Sequence, residues 1–133
     1  MDTIFTKIIN REIPATIVYE DDESIAFLDI NPVTKGHTLL ITKEAYPWIT
    51  DVPDEILKKM IVKSKHFIQA MKQKIPCDFV QVGIVGNEVP HFHIHLIPRK
   101  IDESVVNTNR PHTPYESTEE IDIYAQKIIS GLQ

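Results

Sequence analysis

The sequence predicts an α+β fold in which an antiparallel sheet of about five strands is covered by one long helix. Several short segments have the apolar and β-branched composition of strands. Between them, residues 53–72 repeat apolar side chains at helical spacing over a length that only a long helix explains. A chain of 133 residues suits one domain, and we expect that domain to span residues 1–133.

Composition narrows the class of protein. The chain is 42% hydrophobic and 25% charged, which is ordinary for a globular domain. Asp2 stands where a signal peptide would be basic, and no apolar run is long enough for a membrane span, so we expect a cytoplasmic protein without membrane contact. The single Cys77 suits a reducing compartment. A net charge of −5 argues against nucleic-acid binding, although a small anionic substrate stays compatible.

The amino-terminal part predicts a short helix followed by a β-hairpin. Residues 3–10 place apolar side chains at helical spacing, and Pro14 prevents the helix from continuing. Residues 16–20 and 24–29 then form two strands around a polar turn. Asp29 directly follows the apolar run of the second strand. It is either a turn residue before Pro32 or a carboxylate that projects into a pocket.

The middle and the end of the chain supply the remaining elements. A loop with Pro32 and Gly36 leads into a strand over residues 37–42, and a further strand is predicted over residues 79–85. The long helix presents one apolar stripe to the sheet: Ile56, Leu57, Met60, Ile61, Ser64, Phe67, Ile68 and Met71. Residues 100–114 read as an extended strap, and Ser117 begins a final helix that reaches about Gly131.

Histidines alternate with bulky apolar residues at the start of the last predicted strand, residues 91–99. Alternation puts His91, His93 and His95 on one face and Phe92, Ile94 and Leu96 in a core on the other. The outer two histidines are roughly 13 Å apart along a strand, so the three can hardly bind one zinc ion. Two of them could bind a metal with a third ligand from elsewhere. The alternative is an imidazole nucleophile whose flanking histidines orient an anion and handle protons.

The motif His91-x-His93-x-His95, followed by Leu96-Ile97-Pro98-Arg99, resembles the histidine triad of the HIT superfamily of nucleotide hydrolases and transferases. Four earlier segments match the order and spacing of its Hint-like branch: residues 4–9, 12–15, 27–32 and 36–41. The resemblance covers residues 3–99 and fades beyond them. It implies a HIT-like fold, a core at residues 3–99, a carboxy-terminal strap and helix at residues 100–133, and a homodimer.

The resemblance also implies roles for individual residues. His93 would attack the α-phosphorus of a purine nucleoside phosphoramidate or mixed anhydride and carry the nucleotidyl group until water releases it. His95 would hold the phosphate oxygens, with His91 and His37 in support, and Asp29 would accept the ribose hydroxyls. An apolar slot for the base would be lined by Ile4, Phe5, Ile8 and Ile13. Two alternatives stay open: a nucleotide sensor or scaffold with little turnover, and a nucleotidyl transferase.

Two places depart from the family pattern. Asn87 and Glu88 occupy the positions of a glutamine and a hydroxyl residue, and that hydroxyl usually helps to bind phosphate and to protonate the leaving group. Glu88 therefore either turns away or serves as the acid itself. Thr3, Thr6 and Ala45 stand where some members have further zinc ligands, and we therefore predict no metal and no other cofactor. Outside the motif, His66 is predicted to be solvated and His112 to lie exposed in a loop.

Overall fold

The computed structural model describes residues 2–101 and 112–133. Its α+β architecture confirms the predicted fold class: a five-stranded antiparallel sheet in the order β1-β2-β3-β5-β4, with helices on both faces. The strands are β1 (Ile17–Glu20), β2 (Ser24–Leu28), β3 (Thr38–Thr42), β4 (Phe79–Gly83) and β5 (His93–Arg99). The helices are α1 (Ile4–Ile9), α2 (Asp54–Lys74) and α3 (Thr118–Leu132), with a short 3₁₀ turn at Ile49–Asp51.

The short helix α1 is held at its start by two threonines. The Thr3 hydroxyl accepts the backbone N–H groups of Phe5 and Thr6, and the Thr6 hydroxyl accepts the N–H of Thr3. These bonds compensate for the weak intrinsic stability of a six-residue helix. Phe5 and Ile8 of this helix lie on one face of the sheet. There they pack in a small cluster with Ile25, Phe27, Leu39 and Ile41.

The opposite face of the sheet holds the main core. There α2 and α3 pack side by side and cover strand residues that include Leu40, Ile94 and Leu96. The helices contribute Met60, Phe67, Met71, Ala125 and Ile128, all at most 3% exposed. The two helices cross closely, because a Cβ atom on Gly131 would lie 2.9 Å from the backbone of Ala70.

Several predicted boundaries were wrong by one or two residues. His37 precedes β3 because its N–H bonds to Thr34 O in a turn, and His91 precedes β5 because its N–H bonds to Val89 O. Strand β4 ends at Gly83 and not at Val85. Ile61 was assigned to the apolar stripe of α2 but is 49% exposed. Residues 102–111 of the predicted strap lie outside the described residues.

Both long helices carry charged faces. In residues 2–101 and 112–133, no helix combines the length and the apolar character that crossing a bilayer requires.

Candidate functional site

The histidines gather on the α1 face of the sheet. In the β3–β5 ladder, His93 lies opposite Ile41 and His95 opposite Leu39. The rings of His93 and His95 are 4.9 Å apart between centroids. Phe5 of α1 contacts the rings of His91 and His93 edge-on, at 5.9 and 5.0 Å. The predicted alternation is confirmed on the other face, where Phe92, Ile94 and Leu96 are at most 2% exposed within the main core.

The proton on His93 is placed by a backbone carbonyl. Its Nδ1 lies 2.7 Å from the carbonyl oxygen of His91, and a carbonyl can only accept a hydrogen bond. Nδ1 therefore carries the proton in the neutral ring, and Nε2 keeps a free lone pair. His93 is only 5% exposed, so the packing that surrounds it also fixes its orientation.

His37 and His95 have the opposite tautomer from His93. The backbone N–H of Val33 donates to His37 Nδ1 at 3.1 Å, which leaves the proton of neutral His37 on Nε2. That nitrogen lies 3.0 Å from His95 Nδ1 and donates to it. His95 therefore carries its own proton on Nε2. Burial lowers the pKa of His37 to about 3 and that of His95 to about 4, so both rings are neutral at pH 7.

His91 is fully buried, at 0% exposure. Its Nε2 donates to the carbonyl of Thr42 at 2.5 Å, and burial lowers its pKa. Its Nδ1 is the single buried side-chain polar atom in the described part of the chain that has no hydrogen-bond partner. His91 contacts His93 through its backbone carbonyl, which orients the His93 ring.

Asp29 follows β2 and extends the ladder to β3, since its N–H bonds to the carbonyl of His37 at 2.9 Å. One carboxylate oxygen accepts the N–H of Asn31 at 2.9 Å, and the other lies 3.8 Å from His37 Nε2. Because His37 is neutral, that contact is not an ion pair. Burial raises the pKa of Asp29, whose side chain stays 23% exposed and so can meet a ligand.

The predicted apolar slot is only partly assembled. Phe5 and Ile8 are buried in the α1 cluster, and Ile13 packs against it. Ile4 is 51% exposed and lies outside that cluster. Val89, which was not predicted to line the slot, packs on the same cluster. Its place two residues before His91 continues the alternation of residues 91, 93 and 95, and that period was the available signal.

The two residues of the unusual loop face solvent. Asn87 and Glu88 are exposed, and neither forms a hydrogen bond or ion pair with another residue that the structure describes. The charge of Glu88 nevertheless affects Asp29. Burial raises the pKa of Asp29, and the negative charge of Glu88 raises that pKa further. The loop thus lies near enough to the site to influence it electrostatically, although Glu88 forms no hydrogen bond or ion pair with a described histidine.

Asp29, His37 and His95 offer three ligand atoms within 4.8 Å of one another, a spacing that a metal ion could use. The tautomer of His37 opposes this use. Binding a metal at His37 Nε2 requires a lone pair there, which would move the proton to Nδ1 and against the Val33 N–H. Of the positions where the resemblance implied zinc ligands, Thr3 and Thr6 use their hydroxyls to cap α1.

Comparisons with known proteins identify relatives of this chain. The family model described as "HIT domain" matches residues 10–102. An adenosine 5′-monophosphoramidase of Saccharomyces cerevisiae is 40% identical over 102 residues, which are 76% of this chain and 65% of that protein. An adenylylsulfatase of Arabidopsis thaliana is 35% identical over 104 residues, which are 74% of this chain and 53% of that protein.

A solved structure extends the likeness to the carboxy-terminal segment. The crystal structure of a Hit-like protein from Bartonella henselae superposes with a TM-score of 0.83 at 32% sequence identity. The alignment covers 98% of this chain and 96% of the other. The likeness therefore extends to described residues beyond residue 99, where the resemblance in sequence motifs fades.

Proposed function

The chain belongs to the HIT domain family, and on that premise we propose that it hydrolyses derivatives of purine nucleoside 5′-monophosphates at the α-phosphate. The substrate class is a phosphoramidate or a mixed anhydride, as the names of the yeast and Arabidopsis relatives suggest. One observation carries the proposal: His93 Nε2 has a free lone pair beside a His95 ring that carries its proton on Nε2.

The reaction would proceed in two displacements. The lone pair of His93 Nε2 attacks the α-phosphorus, the bond to the leaving group breaks, and the leaving amine departs with the electron pair and takes a proton from water. Water then attacks the nucleotidyl-histidine and gives a proton to the hydroxide left by the first step. The bond from phosphorus to His93 Nε2 breaks, which releases the nucleoside monophosphate and restores His93. His95 Nε2–H donates to a non-bridging oxygen as negative charge builds there, which is the kind of interaction that lowers such barriers most.

The remaining site residues would bind and orient. Asp29 accepts hydrogen bonds from the ribose hydroxyls, and a carboxylate makes these stronger than a neutral acceptor would. Phe5, Ile8 and Ile13, with Ile4 at the exposed end of the same helix, take the purine base. His91 orients His93 through its carbonyl, and His37 fixes the tautomer of His95.

Asn87 and Glu88 would meet the leaving-group side of the substrate from the exposed loop. Because Glu88 is exposed and forms no hydrogen bond or ion pair with a described histidine, we assign it no proton transfer. The proton of the leaving amine is therefore taken from water. Glu88→Gln should then slow an alkylamine phosphoramidate and a nitrophenyl ester by the same small factor. A selective loss with the alkylamine would make Glu88 the general acid.

We also propose that two copies form a homodimer in a reducing, cytoplasmic compartment. Strand β4 is an edge of the sheet, and the residues in and after it are unusually apolar for a solvated edge, with Val82 44%, Ile84 40% and Val85 55% exposed. A second copy would cover them. Sedimentation of the wild type should give a dimer and of Val82→Glu a monomer. A wild-type monomer at all concentrations contradicts this part.

The test of the function is turnover of an adenosine phosphoramidate by the wild type, His93→Ala and the matched surface variant His66→Ala. We expect the wild type and His66→Ala to release AMP, and His93→Ala to bind AMP but release none. Binding of AMP without turnover by the wild type would instead identify a sensor. Passage of the nucleotidyl group to added phosphate in preference to water would identify a transferase.

A further inference from the structure

The carboxy-terminal segment reaches the site through one peptide group. The N–H of Thr113 donates to the carbonyl of Pro32 at 2.8 Å. That carbonyl and the N–H of Val33 belong to the same peptide unit, and the Val33 N–H is the group that donates to His37 Nδ1. An unbroken chain of hydrogen bonds therefore runs from Thr113 through this peptide and His37 to His95.

Three further contacts join the same loop to the carboxy-terminal segment. The Thr113 hydroxyl donates to the carbonyl of Val33 at 3.1 Å, and the Tyr115 hydroxyl accepts the N–H of Gly36 at 2.9 Å. Lys35 pairs with Glu120 of α3 at 2.9 Å. Among the described residues of this segment, only Thr113 bonds to the peptide that contacts His37. The Tyr115 and Glu120 contacts hold the loop without touching that peptide. Holding the loop and orienting the peptide can therefore be tested separately.

The Thr113 bond acts on a peptide whose orientation decides a tautomer. An imidazole has two nitrogens of similar basicity, so the hydrogen bond at one of them determines which carries the proton. His37 is 3% exposed, and a rotated Pro32–Val33 peptide would leave its Nδ1 without the donor. Hydrogen bonds in series also polarise one another, which strengthens the donor that His37 sees.

We propose that Thr113 is a positioning residue: its backbone N–H holds the Pro32–Val33 peptide in the orientation that keeps the proton on Nε2 of His37 and, through His37, on Nε2 of His95. The segment His112–Tyr115 is thus a working part of the site. The inference rests on the proposed function in one respect, namely that the His95 Nε2–H is the group that serves the reaction.

The decisive variants differ in which hydrogen bond they delete. Thr113→Pro removes both the N–H and the hydroxyl, and Thr113→Val removes the hydroxyl alone. Replacing Thr113 by the corresponding α-hydroxy acid removes the N–H alone, because an ester oxygen takes its place, and this variant serves if Thr113→Pro fails to fold. Lys35→Met is the control, since it breaks the Glu120 ion pair on the same loop without altering the peptide.

The measurement is the pair of imidazole ¹⁵N chemical shifts of His37 and His95, with kcat and KM on the same samples. We expect the Nε2–H tautomer for both rings in the wild type, Thr113→Val and Lys35→Met. In Thr113→Pro and the ester, His37 should shift toward Nδ1–H, and kcat should fall about tenfold or more with little change in KM.

Retention of both tautomers and of kcat in the folded ester variant overturns the inference, as does a wild-type His37 with its proton on Nδ1. A change in KM with unchanged ¹⁵N shifts in Thr113→Pro and the ester also overturns the inference. That result would mean that the segment only shapes the pocket. If the wild type turns over no phosphoramidate, the proposed function fails, and the ¹⁵N shifts alone still decide whether Thr113 sets the tautomer.

Discussion

Both faces of the sheet bury side chains, but burial has a different consequence on each face. On the α2 and α3 side of β5, Ile94 and Leu96 are 0% exposed and contact other apolar side chains. On the α1 side, His91 and His93 are 0% and 5% exposed and are held by hydrogen bonds to carbonyls. Burial on the first face stabilises the fold. On the second, burial lowers the pKa of His91, and the hydrogen bonds to carbonyls determine which nitrogen of each ring donates.

Alanine substitutions at the adjacent β5 residues His93 and Ile94 should have the largest effects and should differ in kind. His93→Ala should lower kcat/KM by at least about 10³-fold, or about 4 kcal/mol in barrier, and change stability less. Ile94→Ala should lower the free energy of unfolding by about 2–5 kcal/mol while the folded fraction keeps its kcat. Kinetics and urea unfolding of both variants check this. Loss of activity in folded Ile94→Ala beside an active His93→Ala would reverse the assignment of the faces.

Asp29 should show that the polar face also selects the sugar. Asp29→Asn weakens hydrogen bonds to a charged acceptor, which are worth about 1.5–3 kcal/mol each, so KM for a ribose substrate should rise about tenfold or more. KM for the 2′,3′-dideoxy analogue should hardly change, because it lacks the hydroxyls. Steady-state kinetics with the two substrates make the comparison. Equal effects on both would mean that Asp29 acts on the fold and not on the ribose.

The neutral imidazoles should make stability depend on pH. An unfolded histidine takes up a proton below about pH 6.5, whereas folded His37 stays neutral to about pH 3, so the unfolded state binds more protons in that window. The free energy of unfolding therefore falls as the pH falls. His37→Asn should reduce this slope by about 1.4 kcal/mol per pH unit between pH 6 and pH 4, as urea titrations would show. An unchanged slope would mean that His37 is protonated when folded.

Metal removal should have the smallest effect. The Val33 N–H opposes metal binding at His37, so exhaustive EDTA treatment should leave kcat/KM within error of the untreated protein. Activity lost to EDTA and restored by zinc would show that Asp29, His37 and His95 bind an ion after all.

The sequence predicted the strands and the long helix because period and composition are local properties. It identified His91, His93 and His95 for the same reason, since alternation alone assigns them to one face. The tautomers could not be predicted, because they depend on the backbone carbonyls of His91 and Thr42 and the backbone N–H of Val33. Such backbone groups occur along the whole chain, so the residue types do not reveal which of them meet an imidazole. Thr113 could not be predicted as a site residue, because Pro32 and Val33, to which it bonds, lie far earlier in the sequence.

The central claim is that His93 carries the nucleotidyl group between two displacements, and the configuration at phosphorus tests it most directly. Each in-line displacement inverts a chiral phosphorus, so hydrolysis through nucleotidyl-His93 inverts it twice. A phosphoramidate made chiral at the α-phosphorus with sulfur, hydrolysed in ¹⁸O-water, should give a product with net retention. Net inversion would mean that water attacks the substrate directly, and it would contradict the account of His93 as the nucleophile.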